Sequence, residues 1–174
     1  MRDVAELDGR VGEGWAGTVP NGSHINVVLG HRGTPTYASV VGTLASSGPG
    51  HTPLLVCLGA GNPVRPATVA LNKLTYDGEE HRRMTWGAAQ LGIGQGVLDA
   101  VAEGDLDADH LDDLAVLVAF WVDPGARNER ELRDANRQAT RLAIADAVAD
   151  DRTAQVHKLL DGRDTATNGF YQGD

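Results

Sequence analysis

Several features that mark common classes of protein are scarce or missing in this 174-residue sequence. Its single cysteine, Cys57, cannot form an internal disulfide, and its place in the apolar run PLLVCLG predicts a packed thiol rather than a reactive one. No run approaches the roughly 20 apolar residues of a membrane helix, and the first residues lack the apolar segment of a secretory signal. We therefore expect a cytoplasmic protein with no membrane partner.

Positive charge is scarce as well, with 15 Lys and Arg against 24 Asp and Glu and a net charge of -9. Nucleic-acid binding needs clustered cations to neutralise phosphates, so we expect no nucleic-acid partner. Lysine is rarer still, because Lys73 and Lys158 are the only two in the chain. Lys73 falls inside a predicted strand, where arginine would be this chain's usual cation, which suggests that the position needs a primary amine.

The sequence also lacks the usual motifs of metal, phosphate and nucleophile sites. Its six histidines show no H-x3-H spacing, and no C-x2-C pair is present. The glycine-rich runs LGAGNP and GIGQG match neither G-x-G-x-x-G nor G-K-[ST], and no G-x-S-x-G elbow occurs. We therefore expect no metal site and no tightly bound cofactor.

Hydrophobic residues make up 41% of the chain, enough for one domain with a sizeable core. We predict a single domain over residues 1–150 and a polar C-terminal tail over residues 151–174. Strands and helices interleave in a pattern that favours an α/β fold of the two-layer sandwich type. The N-terminal 20 residues predict a short strand near 3–7, followed by turns around Gly12, Gly14 and Gly17.

Further along the chain, Thr34 and Pro35 predict the cap and first residue of a helix that ends near Gly48. The run DGEEHRR predicts a polar turn, and the glycine-rich run after it predicts a helix that ends at Gly104. TPLLVCLG and AVLVAFWV read as buried strands, DADHLDDL as a short helix, and NERELRDANRQATRLAIADAVAD as a long one.

Two predicted strands carry polar side chains on one face. In SHINVVLG, alternation places His24 and Asn26 opposite the apolar residues, and an imidazole, which ordinarily titrates near pH 6.5, suits proton transfer. In TVALNKLTY, Lys73 and Thr75 share a face. The alternative for His24 is a structural histidine, and the alternative for Lys73 is a surface amine. Gln90 either binds an amide-like heterocycle or caps a helix.

The runs SHINVVLGHRGTP, TPLLVCLG, PATVALNKLT, GAAQ, LDAVAEG and ADHLDDLAVLV closely resemble the formaldehyde-activating enzyme family, from about residue 12 to 148. The resemblance implies condensation of formaldehyde with tetrahydromethanopterin, a reduced pterin co-substrate, to the methylene derivative and water. It also implies a fold like ribosomal protein S5 domain 2 and homopentamers with sites between subunits. Carried over by position, the proton donor is His24, and the pterin-contacting residues are Asn26, Leu55, Lys73, Thr75 and Gln90.

The sequence departs from the family at several of these positions. The family usually has aspartate where Asn26 stands, and a carboxylate there would favour protonated His24. His31 and Ala88 replace usual prolines, and Leu91 replaces a histidine. These differences predict weaker activity with the usual pterin, a different acceptor such as tetrahydrofolate or a biosynthetic amine, or a noncatalytic homologue that binds pterin or formaldehyde.

Overall fold

A computed structural model of the chain, which describes residues 3–167, contains a five-stranded sheet with its two longest helices on one face. Along the sheet the strands run β1-β2-β7-β6-β3, and each neighbouring pair is antiparallel except β6 and β7. The strands are β1 Val11–Ala16, β2 Ser23–His31, β3 Thr52–Leu55, β4 Cys57–Leu58, β5 Asn62–Pro63, β6 Ala67–Asn72 and β7 Leu114–Phe120, of which β4 and β5 form a separate small ribbon.

The helices are α1 Pro35–Gly42, α2 Gly78–Met84, α3 Gln90–Glu103, α4 Glu129–Val148 and α5 Arg152–Asp161. Short 3-10 helices cover Val4–Leu7, Thr43–Ala45, Ala108–Asp113 and Arg163–Thr165, and a π-helical turn, Thr85–Ala89, joins α2 to α3. The predicted α/β two-layer fold is confirmed; the likeness to ribosomal protein S5 domain 2 stays a prediction.

The core lies between the sheet and the pair of helices α3 and α4. On β2, Ile25, Val27 and Leu29 are fully buried on this side, which is the alternation that the sequence predicts. The opposite side is here called the open face, and α1 covers only the half of it around Val69 and Ala115. The other half is left accessible, even on the central strand β7.

Strand β1 corrects the prediction of turns around residues 12 and 14, while Gly17, with a φ of 74°, lies in a bend after the strand, as predicted. Gly12 and Gly14 face α4, where a Cβ atom would lie 2.1 Å from a backbone carbonyl oxygen of the helix, that of Ala143 for Gly12 and that of Ala139 for Gly14. The glycines therefore let a helix face of alanines approach the strand backbone. The predicted strand over 3–7 is also wrong, since Val4–Leu7 is a 3-10 helix capped by Asp3.

The helix beginning at Pro35 is confirmed, with the Thr34 hydroxyl accepting from the Tyr37 backbone N–H, but α1 ends at Gly42 rather than near residue 48. The end of β2 is tied to this helix by Asp8, which accepts from the His31 backbone N–H and the Thr34 hydroxyl. These hydrogen bonds, that from His31 foremost, hold the pKa of Asp8 below its ordinary value of 3.8.

The polar run DGEEHRR forms α2 instead of the predicted turn, because His81 buries its ring beneath the helix. Its Nδ1 accepts from the Asp77 backbone N–H at 2.9 Å, and its Nε2 lies 2.8 Å from the Val122 carbonyl oxygen. With Nδ1 an acceptor, Nε2 carries the proton and donates to that carbonyl. His81 thus anchors the segment that connects β6 to α2.

The predicted polar tail contains α5, whose residues Val156, Leu159 and Leu160 are exposed. Residues 168–174 lie outside the described part, and the division into a domain at 1–150 and a tail at 151–174 stays a prediction. Among residues 3–167, no helix combines the length and the apolar character needed to span a bilayer.

Candidate active site

His24 lies on the accessible half of the open face, near the start of β2. The strand is fixed there by Ser23, whose buried hydroxyl donates to Asn136 of α4 at 3.0 Å. The His24 side chain is only 17% exposed because Trp15, its cross-strand partner on β1, stacks on it with ring centroids 4.1 Å apart and planes 13° apart. The imidazole is therefore held in a defined orientation at an accessible surface.

A carboxylate contacts this imidazole directly. Oε1 of Glu13 lies 2.6 Å from Nε2 of His24 and also accepts from the Trp15 indole N–H at 3.3 Å. Glu13 is the register partner of Asn26, so it approaches His24 diagonally across the β1–β2 pair. Glu13, Trp15 and His24 form a compact cluster, which we call the histidine cluster.

Asn26 and Lys73 lie next to this cluster. Nζ of Lys73 donates to Oδ1 of Asn26 at 3.3 Å, and between their strands lies β7, which presents the small side chain of Ala119 on the open face. Lys73 directly follows β6, and its backbone N–H still bonds to Phe120 at 2.8 Å. The structure thus brings His24, Asn26 and Lys73 onto one patch of the sheet.

Leu55 shares the open face, since its neighbour Leu54 is buried in the core while Leu55 is 41% exposed. Leu55 stands on edge strand β3, three strand spacings from β2, or about 14 Å. Thr75 is exposed beyond the end of β6 and lies near Gly50. The predicted strand through Thr75 is too long, so alternation does not place Thr75 beside Lys73.

Gln90 lies apart from the histidine cluster. It begins α3, on the covered side of the sheet, where its Oε1 accepts from the Cys57 backbone N–H at 3.1 Å and its Nε2 donates to the Trp86 carbonyl at 2.8 Å. Both ends of its amide are therefore engaged in joining α3 to β4. Within one copy of the chain, Gln90 and His24 do not meet.

The departures from the family occupy different environments. His31 ends β2, seven residues and about 23 Å from His24. Ala88 is buried in the π-helical turn, and Leu91, in the first turn of α3, is 39% exposed. In a single copy, only Asn26 among these departures adjoins the histidine cluster.

The sequence-based prediction omits Glu13 and Trp15, because the glycines at 12, 14 and 17 indicate turns in this segment. One signal could have found them: small residues at 12 and 14 alternate with Glu13 and Trp15, which is the period of a strand. Because the inward positions of this strand are glycines, it does not show the usual alternation of apolar and polar residues. The cluster itself offers an imidazole whose Nε2 is held by a carboxylate, an arrangement suited to protonating a leaving oxygen.

Comparison with known proteins agrees with this geometry. The sequence model of the formaldehyde-activating enzyme family matches residues 11–171, which includes every strand and helix described from β1 onwards. The chain belongs to the formaldehyde-activating enzyme family.

One relative, the 5,6,7,8-tetrahydromethanopterin hydro-lyase of Methanosarcina barkeri, is 33% identical over 94% of this chain and 91% of its own length. Two others are bifunctional Fae/Hps enzymes. That of Methanosphaera stadtmanae is 32% identical over 97% of this chain, and that of Methanosarcina acetivorans is 27% identical over 92%. This chain spans 40% and 41% of their lengths.

Proposed function

We propose that this chain condenses formaldehyde with tetrahydromethanopterin to give the methylene derivative and water, with His24 as general acid. The observation that carries the proposal is the match to the formaldehyde-activating enzyme family over residues 11–171, supported by similarity to a tetrahydromethanopterin hydro-lyase along nearly its whole length. The geometry supports it too, because the residue predicted as the acid lies at an accessible surface, oriented by two neighbours.

The chemistry requires an acid at one step. A pterin N–H adds to formaldehyde to give a carbinolamine, whose C–O bond breaks slowly unless the departing oxygen receives a proton. A positioned acid contributes typically 10²–10⁴-fold to such a step. The second pterin nitrogen then attacks the iminium carbon, and a site that holds both nitrogens in register adds the advantage of proximity.

The remaining predicted residues bind the pterin in this proposal. Lys73 and Asn26 are placed to contact its polar groups beside His24. Leu55 stands about 14 Å from β2, and Gln90 lies on the covered side of the sheet, so the proposal includes a homopentamer with sites completed between copies. Thr75 is exposed and binds the pterin in the same proposal. The proposal likewise keeps formaldehyde and the pterin as transient substrates, with no tightly bound cofactor.

The test is a turnover assay with purified protein, formaldehyde and either tetrahydromethanopterin or tetrahydrofolate, in which the absorbance change is followed against the uncatalysed rate. We expect acceleration with tetrahydromethanopterin, and a loss of about 100-fold or more in His24→Ala. His110→Ala is the matched control, because His110 is an exposed histidine just before β7, at the strand end remote from Ala119.

Each other outcome changes the proposal in a defined way. Acceleration with tetrahydrofolate alone would identify a different acceptor, as the replacement of the family's aspartate by Asn26 predicts. Pterin binding without acceleration would contradict catalysis. Full activity in His24→Ala would contradict the assignment of the acid while leaving the reaction in place.

A further inference from the structure

The histidine cluster determines which ring nitrogen of His24 faces the substrate. The Glu13 carboxylate is an acceptor, so the nitrogen 2.6 Å from it, Nε2, carries a proton in both the neutral and the protonated ring. Within the described part of the chain, Nδ1 has no hydrogen-bond partner. The second nitrogen is therefore the one that can exchange a proton with a bound molecule.

Trp15 restricts the ring further. Its indole covers one side of the imidazole at 4.1 Å and donates to the same Glu13 oxygen. A 180° flip of the ring would put a carbon, Cε1, where Nε2 now meets Glu13, so it would break that bond and require the stacked pair to separate. The carboxylate and the indole thus determine both the proton position and the ring plane.

We propose that Glu13 is a positioning residue that holds His24 with its proton on Nε2, so that Nδ1 delivers the catalytic proton, and that Trp15 maintains this orientation. The proposal rests on the proposed function. Because this chain has Asn26 where the family usually has aspartate, Glu13 on the neighbouring strand supplies the countercharge for His24.

The proton balance of the reaction is complete with these groups. The Nδ1–H bond of the imidazolium breaks as the carbinolamine C–O bond breaks; the oxygen takes both the bonding pair and the proton and leaves as water. The first pterin nitrogen supplies its lone pair to form the iminium, and His24 is left neutral with Nε2–H still bonded to Glu13. When the second nitrogen attacks the carbon, the proton it loses returns to Nδ1.

The decisive variants are Glu13→Gln, which removes the charge but keeps an acceptor oxygen, and Glu13→Ala, which removes both. Loss of the hydrogen-bond partner that orients a functional histidine costs roughly 10- to 100-fold in activity at metal centres. Glu13 is 57% exposed, so water can replace part of its contact, and the low end of that range applies. We expect kcat to fall about tenfold in Glu13→Gln and further in Glu13→Ala, with KM changed less than about twofold.

A spectroscopic readout separates positioning from a general structural effect. In wild-type protein, NMR should detect the Nε2-bound proton of His24 at low field and in slow exchange, as expected for a short charge-assisted hydrogen bond. The signal should move upfield in Glu13→Gln and vanish in Glu13→Ala. Glu6→Gln is the control, because Glu6 is an exposed carboxylate in the N-terminal 3-10 helix and should change neither kcat nor the resonance.

The outcomes distinguish this inference from the proposed function. Activity lost in His24→Ala but unchanged in Glu13→Gln and Glu13→Ala would overturn the role of Glu13 alone. A fall in kcat without any change of the Nε2 proton signal would also overturn it. Wild-type protein without acceleration, or His24→Ala with full activity, would contradict the assignment of the acid and, with it, the delivery of a proton from Nδ1.

Discussion

The substitution Gly14→Ala tests the packing that places Glu13 and Trp15 on the open face. An ideal Cβ at residue 14 would lie 2.1 Å from the carbonyl oxygen of Ala139 and 2.7 Å from the backbone nitrogen of Ala143. A carbon normally stays about 3.3 Å or more from a carbonyl oxygen, so strand β1 and helix α4 must separate by about 1 Å. Both obstacles are backbone atoms, which cannot rotate away.

The energetic effect follows from this separation. Inserting a methylene-sized group into a packed core costs typically 1–3 kcal/mol, and a gap of 0.5–1 Å forfeits a quarter to a half of the dispersion energy of the atoms that line it. Because relief requires moving a whole helix, we expect the upper end, about 3 kcal/mol. For a chain of this size, that corresponds to a fall in Tm of roughly 6–12 °C.

Thermal and urea denaturation followed by circular dichroism measure the effect, and Gly42→Ala is the matched control. Gly42 ends α1 with helical φ and ψ of -62° and -24°, and nothing lies within 4 Å of a Cβ there. Alanine should therefore stabilise this position by about 0.4–1 kcal/mol. A Gly14→Ala protein with the wild-type Tm would refute the close approach of β1 to α4.

Three further changes probe other parts of the structure. Lys73→Met removes the ammonium 3.3 Å from Asn26 and should raise KM for the pterin about tenfold with a smaller change in kcat, measured by steady-state kinetics; a change confined to kcat would contradict a binding role. His81→Phe leaves the buried Val122 carbonyl and the partly buried Asp77 N–H without their partner and should lower the free energy of unfolding by about 2–4 kcal/mol in urea denaturation. Because its hydrogen bonds lower the pKa of Asp8, the ionised carboxylate stabilises the fold above the ordinary value of 3.8, and this contribution is lost as pH falls below that value. Asp8→Asn should therefore reduce the fall of Tm on acidification below pH 3.8, and an unchanged acid dependence would contradict this.

Strand β2 could be predicted from sequence because Ile25, Val27 and Leu29 alternate with two polar residues, so that alternation alone assigns His24 and Asn26 to one face. Strand β6 was predicted too long for a related reason. The alternation continues past residue 72, but hydrogen bonding to β7 ends with the backbone N–H of Lys73. A hydrophobic pattern records which side a residue faces, and it does not record where a neighbouring strand stops.

Strand β1 shows what the pattern cannot carry. Its inward positions are glycines, which allow α4 to pack close to the strand backbone. The need for glycine there depends on the position of α4, which the sequence of the strand does not reveal. Helix α2 is similar, because its stabilising contact is a buried histidine that bonds to the Asp77 N–H just before the helix and to the distant Val122 carbonyl. Prediction therefore located the histidine of the candidate site and missed the carboxylate beside it.

The register of β1 and β2 changes the meaning of the asparagine at position 26. If position 26 were the only source of negative charge, its substitution would leave a protonated His24 without a countercharge; because Glu13 is the register partner of Asn26, a carboxylate remains 2.6 Å from the ring. What the substitution alters is the partner of Lys73, which bonds to a neutral amide and, within the described residues, forms no ion pair. Under the proposed function, this ammonium contacts the acceptor molecule, and we expect the departure at position 26 to affect which acceptor is bound more than how the proton is delivered.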